Sequence, residues 1–385
     1  MIISPGGRVG AGVGAGVDPS SAAFTITIVG RISRRASLAV SATVIVLAFA
    51  GASGGSGAVA AVSPATASTA FSVDGLLSGV AATSAANAWA VGYIQGGIHA
   101  QALILHWNGI RWSRATTQKP AYGSLSAVTA ISADNVWAVG DATNGPLVMH
   151  WNGKTWRVVP GVPALNNSFS GVAGWGTSDL WVAGGATTVT VMLHWTGGHW
   201  YVVPITTPGP GTVFDVAYTA RTTVWAVGWA YPPRSPCQRE LMWQWTGSVW
   251  RLVPLVLKGI TCGRLDSIAA GPHGTALAVG VTSSGPERLL SLFWNGKTWR
   301  WVPVPTPSDA YITNAVAFAP DGTAWQVSGA AILHWTGKAW QPAENQASGI
   351  DLYAVAATSA SNAWAVGDDP SGKTLILHWN GKTWS

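Results

Sequence analysis

Cysteine is almost missing: Cys237 and Cys262 are the only two in 385 residues, and no Cys-x-x-Cys pair can be written. Charge is sparse as well. Charged residues make up 9% of the chain, against 47 Gly and 24 Trp, which excludes a disordered polar chain. No segment sustains a 3.6-residue apolar period, so arrays of helical repeats are excluded. Acidic residues number 15, and no spacing nominates the two facing carboxylates of a glycosidase. A Walker loop and a nucleophile elbow are also lacking. The formal charge of +6 is no nucleic-acid signal. Arg8, Arg31, Arg34, Arg35 and Asp18 fall in the first 60 residues, which leaves 17 basic against 14 acidic residues scattered over the rest.

The amino-terminal part differs in kind. Arg31, Arg34 and Arg35 precede the apolar run ASLAVSATVIVLAFA (36–50), and small residues including Ala58-Val59-Ala60 follow. A basic start, an apolar middle and a small-residue exit are the layout of a secretory signal. Residues 1–60 are therefore expected to be an export segment, either cleaved or kept as an amino-terminal anchor. The run is 15 residues long, short of the roughly 20 that span a bilayer. No other stretch is apolar enough to span, so no further membrane contact is expected. A secreted or cell-surface location follows.

What is abundant is also periodic. The phrase LILHWNGIRW (103–112) returns as LVMHWNGKTW (147–156) and LILHWNGKTW (375–384), and in looser form four more times. Its first Trp falls at 107, 151, 195, 245, 294, 335 and 379, and its second five residues later each time. Upstream lies a second motif, as in NAWAVG (87–92), whose Trp recurs in six copies and is replaced by Leu277 in the fifth. Earlier still comes a run of small residues such as LSGVAA (77–82), FSGVAG (169–174) and VFDVAY (213–218). Twenty of the 24 tryptophans sit on repeat positions.

Each repeat thus carries four short β-branched and aromatic runs, which read as strands; they are labelled a to d. Asn-Gly or Thr-Gly separates c from d in all seven copies, which predicts a two-residue hairpin turn. The a–b connections SADN (132–135), PHG (272–274) and PDG (320–322) offer residues that accept a left-handed conformation. Four antiparallel strands in about 44 residues are the period of a propeller blade. The expectation is an all-β chain, a seven-bladed β-propeller of four-stranded antiparallel blades over residues 76–385. Residues 61–75 form a linker, within which Thr69–Val73 could close the ring beside the short outer strand of blade seven, unless the chain runs on past 385.

The pattern VWAVG followed by HWNG-x-x-W resembles the Trp-rich secreted propellers of the kelch and galactose-oxidase-like superfamily, and is similar to tectonin-type lectin propellers. That resemblance covers Leu76 to Ser385. It implies a binding module, or a carbohydrate-active enzyme (glycosidase, lyase or oxidase type) with its site at the axial mouth.

Function is sought where the repeat breaks. His106, His150, His194, His334 and His378 recur one per blade, spread around the ring, so they read as packing elements and no metal or other cofactor is expected. Blade four carries the insert WAYPPRSPCQRELM (229–242), and LVLKGITCGR (255–264) links it to blade five. Both leave the ring on the same face. Each holds one cysteine, and an exported chain is expected to pair Cys237 with Cys262. Trp229, Tyr231, Arg234, Arg239, Glu240 and Trp243 are the candidate ligand-binding residues. They suit a sugar ring or a peptide on a pinned loop. No catalytic residue is nominated. The leading expectation is a monomeric, non-catalytic binding scaffold for a glycan or protein ligand. Acids, Tyr or His gathered at one end of the axis would favour an enzyme, and exposed loop aromatics a binder.

Overall fold

The computed structural model describes residues 71–385, apart from short stretches at 97–98, 118–121, 144, 166–167, 187–188, 258, 284–286, 308–313 and 344–348. The export segment lies outside the described residues. Seven antiparallel sheets follow one another along the chain, six with strands in the order a-b-c-d and the seventh with a-b-c. Blade one is typical: strand a is Gly75–Ser84, b is Asn87–Gly96, c is His99–Trp107 and d is Trp112–Arg114. In blade seven, strand c (Thr374–Trp379) is flanked outside by Trp384 and Ser385, whose backbone exchanges hydrogen bonds of 2.8 and 3.0 Å with His378. Among the described residues no helix is long and apolar enough to cross a membrane.

The tryptophans explain the repeat. The strand-b Trp of each blade reaches over the seam into the next blade and meets that blade's strand-c and strand-d tryptophans. Trp89 lies 5.0 Å from Trp151 and 5.3 Å from Trp156. The same triangle recurs from Trp137, Trp181, Trp225 and Trp325. Trp364 of blade seven closes the circle on Trp107 (5.0 Å) and Trp112 (5.3 Å) of blade one. In every triangle the strand-d ring stands at 78° to 89° to the strand-b ring, the edge-to-face arrangement that aromatic quadrupoles favour. Blade five departs from it: Leu277 is fully buried in the Trp slot, and Phe293 packs 5.6 Å from Trp335.

The first and last blades are clasped by backbone as well. Thr374 N–H donates to Val73 O (2.9 Å) and Gly75 N–H to Gly372 O (3.0 Å), and Asp74 bridges Lys373. Phe71 and Val73 pack into the seam between blades seven and one. Of the expected closing segment, residues 69 and 70 lie outside the described residues.

Two turn expectations are corrected. The c–d connection is a four-residue loop closed by the Trp–Trp pair, as in Trp107 opposite Trp112. Asn108 keeps negative φ, and its side-chain Oδ1 accepts the N–H groups of Ile110 and Arg111 at 3.0 Å; only Gly109, at φ 91°, needs the left-handed region. Thr246 and Thr336 substitute by holding the N–H of Val249 and Ala339 with their hydroxyls. The a–b turns are also mixed. His273 (φ 57°) and Gly322 (φ 88°) are left-handed as expected, but no residue of SADN is. There a register shift between Ala130 and Ser132 helps the chain turn.

Candidate functional site

The small residues of strand a line a central channel of about 190 Å³, to which every blade contributes. One irregularity decides what faces it. In blades one, two, three, four, five and seven the register between strands a and b slips by one residue near the start of a, for example between Leu77 and Gly79. Such a bulge re-aims the extra side chain, which here lines the channel. These residues are Ser78, Ser126, Ser170, Phe214, Asp266 and Tyr353, with Asn314 at the matching place in blade six. They are Ser in the first three blades and differ in each of the last four. Opposite each slip lies the glycine of the strand-b motif, because the backbone comes too close for a side chain. A Cβ on Gly92 would sit 1.9 Å from Leu76 O, and one on Gly367 1.7 Å from Asp351 O.

Acids collect in blades four, five and seven. Asp266 accepts from Arg264 Nε at 2.7 Å. Asp215, on the channel wall, accepts from Val216 N–H (2.8 Å), Ile268 N–H (3.0 Å) and the Ser267 hydroxyl (2.9 Å). Burial nevertheless pushes its carboxyl up to about 6, the hydrogen bonds opposing. In blade seven Asp351 stands opposite Asp368 across strands a and b. Burial first, and the Asp351 charge second, raise Asp368 to about 6, against a hydrogen bond from Tyr353.

These shifts have a sign. The unfolded chain releases an Asp proton near 4 and folded Asp215 near 6, so folding takes up a proton between those values. Its contribution is complete below pH 4 and is lost as pH rises through 6. For Asp215 it is at most ~3 kcal/mol, because the residue keeps partial exposure and its shift is discounted for solvent screening. His106, His150, His334 and His378, all lowered by burial, tilt stability the other way below about pH 6.5, so the comparison must be a difference. The melting midpoint of Asp215→Asn minus that of the wild type is expected to climb as pH goes from 4 to 6.5. A flat difference would remove Asp215 as the cause.

The pinned loop is on the same face as the starts of the a strands. Cys237 and Cys262 form a disulfide with Cα atoms 5.7 Å apart, and Gly263 N–H donates to Gln238 O at 3.0 Å. The bond closes a loop of 25 residues, worth about 3 kcal/mol by loop entropy. The double variant Cys237→Ser/Cys262→Ser is expected to be less stable by about that free energy, to melt at a lower temperature, and to be indifferent to reductant. A wild-type midpoint unmoved by reductant would contradict this.

The six candidate residues are only partly brought together. Trp229 and Tyr231 pack edge to face at 5.2 Å, Tyr231 being 47% exposed. Arg234 is exposed at the loop tip with φ 67°. Arg239 is half-exposed, 3.8 Å from the Glu240 carboxylate. Glu240 itself is buried, which raises its pKa, and its Oε2 lies against Gly263 at the start of blade five. Trp243 is fully buried and donates to Thr206 O at 2.9 Å, so it belongs to the core. The channel residues were missed. The signal was the second position of each small-residue run, which reads Ser, Ser, Ser, Phe, Asp, Asn, Tyr.

The recurrent histidines stack on the strand-b Trp of their own blade, at 4.0 Å for Trp89–His106 and Trp364–His378. In three of them Nε2 donates to the side-chain Oδ1 of an Asn at the start of strand b, 2.8 Å away: Asn87, Asn135 and Asn362. Among the described residues no three His, Cys, Asp or Glu are grouped to hold a metal ion.

Against known proteins, the class is a seven-bladed propeller of WD40-like fold. YCF48 from Cyanidioschyzon merolae matches with a TM-score of 0.55 at 16% identity, over 80% of this chain and 97% of that one. The WD40 β-propeller domain of Doa1 matches with a TM-score of 0.54 at 10% identity, over 80% and 95%. U3-55K matches with a TM-score of 0.53 at 12% identity, over 76% and 88%. At these identities the likeness is one of fold. No family model matches the chain, and no curated protein does.

Proposed function

We propose that this chain is an exported, non-enzymatic binding scaffold. It takes a protein segment across the face that bears the pinned loop and sets a Lys or Arg side chain of that segment in the axial mouth. The observation that carries the reading is the break in sevenfold repetition on this face. The bulge residues are Ser in blades one to three but Phe, Asp, Asn and Tyr in blades four to seven, and the same face carries half-buried Trp229 at the end of a strand against exposed Tyr231, beside a loop fixed by a disulfide. Asp351 and Asp368 face each other with like charge, and a bound cation relieves that repulsion. Arg31, Arg34 and Arg35, the apolar run behind them and the disulfide support export.

The test is selection of phage-displayed random peptides on the immobilised protein, followed by anisotropy with the enriched peptides. Those peptides are expected to carry Lys or Arg. Changing that residue to Gln, or Asp368→Asn in the protein, is expected to weaken binding about tenfold. Binding should also fall with salt and as pH drops through 6, where Asp368 takes up its proton. Peptides without basic residues, or binding indifferent to both changes, would sink the reading.

One observation favours a second reading, a carbohydrate-active enzyme. Acids and Tyr353 do gather at one end of the axis. Against it, Asp266 is paired with Arg264 two residues away on its own strand, and Asp215 holds three donors, two of them on the first strand of blade five. Turnover of a chromogenic glycoside, abolished by Asp368→Asn, would reverse the ranking.

A further inference from the structure

The opposite face, where the a–b and c–d turns emerge, carries a cavity of about 460 Å³ at the seam between blades three and four. Its size lies within the range of small-ligand pockets. Trp175, an off-repeat tryptophan, stands 41% exposed at its edge. The Tyr218 ring of blade four lies 5.9 Å from it. Behind them Asp179 accepts two hydrogen bonds on one oxygen: from the Tyr218 hydroxyl at 2.6 Å and from His194 Nε2 at 2.7 Å. His194 is fixed in turn by stacking on Trp181 at 4.0 Å and 2°. Burial, and then the Asp179 carboxylate, push the Tyr218 pKa well up, so the phenol stays a donor. Both bonds converge on Oδ1, and the carboxylate remains 36% exposed in the pocket wall. Arg221, Thr196 and the turn residues 176–178 complete the lining.

No other seam is built this way. The other blades carry Thr, Ile, Gly or Ala in the place of Trp175, and Asn or Thr in the place of Asp179. The charges select the ligand. A cationic side chain would meet Arg221, and a phosphate or carboxylate would meet Asp179. A neutral polyol suits both: its hydroxyls donate to the carboxylate and accept from the guanidinium, while the apolar face of a pyranose covers an exposed indole. We infer that this pocket binds one pyranose ring of a neutral saccharide, stacked on Trp175 with its hydroxyls bridging Asp179 and Arg221. The site is independent of the axial mouth.

The experiment is a glycan array probed with the full chain, followed by saturation-transfer NMR with the retained glycans. Trp175→Ala removes a surface ring, so its melting midpoint is expected to match the wild type while retention falls about tenfold or more. Asp179→Asn keeps an acceptor for Tyr218 and is expected to lower retention too. Both variants should still bind the basic peptides of the axial reading, which separates failure of one site from failure of the other. An array on which the wild type retains nothing, or on which Trp175→Ala retains the same neutral glycans equally well, overturns the inference. Retention confined to acidic glycans, or to peptides competed by Lys, overturns it as well.

Discussion

Gly367→Ala is expected to lower the stability of the ring by ~3 kcal/mol or more, among the largest effects of any single methyl group. The added Cβ would lie 1.7 Å from Asp351 O and 2.8 Å from its carbonyl carbon. Both are backbone atoms of the innermost strand, which is hemmed in by six neighbours around a narrow channel. Nothing there is the flexible end of a side chain, so strands a and b must part or the bulge must move. Moving it also displaces Tyr353 from the channel and Asp351 from its place opposite Asp368. The variant is therefore expected to lose peptide binding along with thermal midpoint. Gly198→Ala is the control, because its Cβ would meet nothing within 4 Å and its φ is ordinary. A midpoint for Gly367→Ala within about 1 °C of that control would show that the close approach is easily relieved.

Trp364→Ala is expected to cost about 3–5 kcal/mol, the usual range for removing a buried large aromatic. Trp364 is 3% exposed and touches His378 at 4.0 Å, Trp107 at 5.0 Å and Trp112 at 5.3 Å. It acts at the seam where the chain must join its own beginning. Besides a lower midpoint, earlier hydrogen exchange in strand a of blade one and strand c of blade seven is expected. Trp364→Leu should recover part of the loss, since Leu277 holds the matching place in blade five fully buried. Equal effects of Ala and Leu would mean that ring stacking, and not filled volume, governs the seam.

The wheel was legible because its main packing element is also the rarest residue type. Indoles at fixed spacing mark strands b, c and d, and the intervals between them count the blades. The turns were half legible. Asn-Gly marked the place, but the side chain of Asn108 caps the loop and only Gly109 crosses to positive φ, so the loop is four residues and not two. The site was least legible, for two reasons. A strict two-residue alternation cannot reveal an inserted residue, so Phe214, Asp266 and Tyr353 were hidden among small neighbours. The insert also had no visible end. Strand c of blade four begins at Arg239, which places Glu240 and Trp243 in the sheet. Trp243 occupies the slot of Leu105 in LILHW, and that slot is core. The repeat register could have said so. Trp175 stood out only as a tryptophan off the pattern, and its partners Asp179 and Tyr218 come from two different repeats.

The six indole triangles all point one way around the circle, each reaching forward into the next blade. Apart from the joint after blade five, every joint is therefore a plug in a socket of similar gauge, and the first blade's socket would fit another molecule's seventh blade. What keeps the joint within one molecule is proximity, reinforced by the backbone clasp at Val73 and Thr374. Destabilise that clasp at high concentration, and the same contacts can link separate molecules head to tail, as unclosed heterologous contacts do. Any such polymer would follow the native assembly rule without closure.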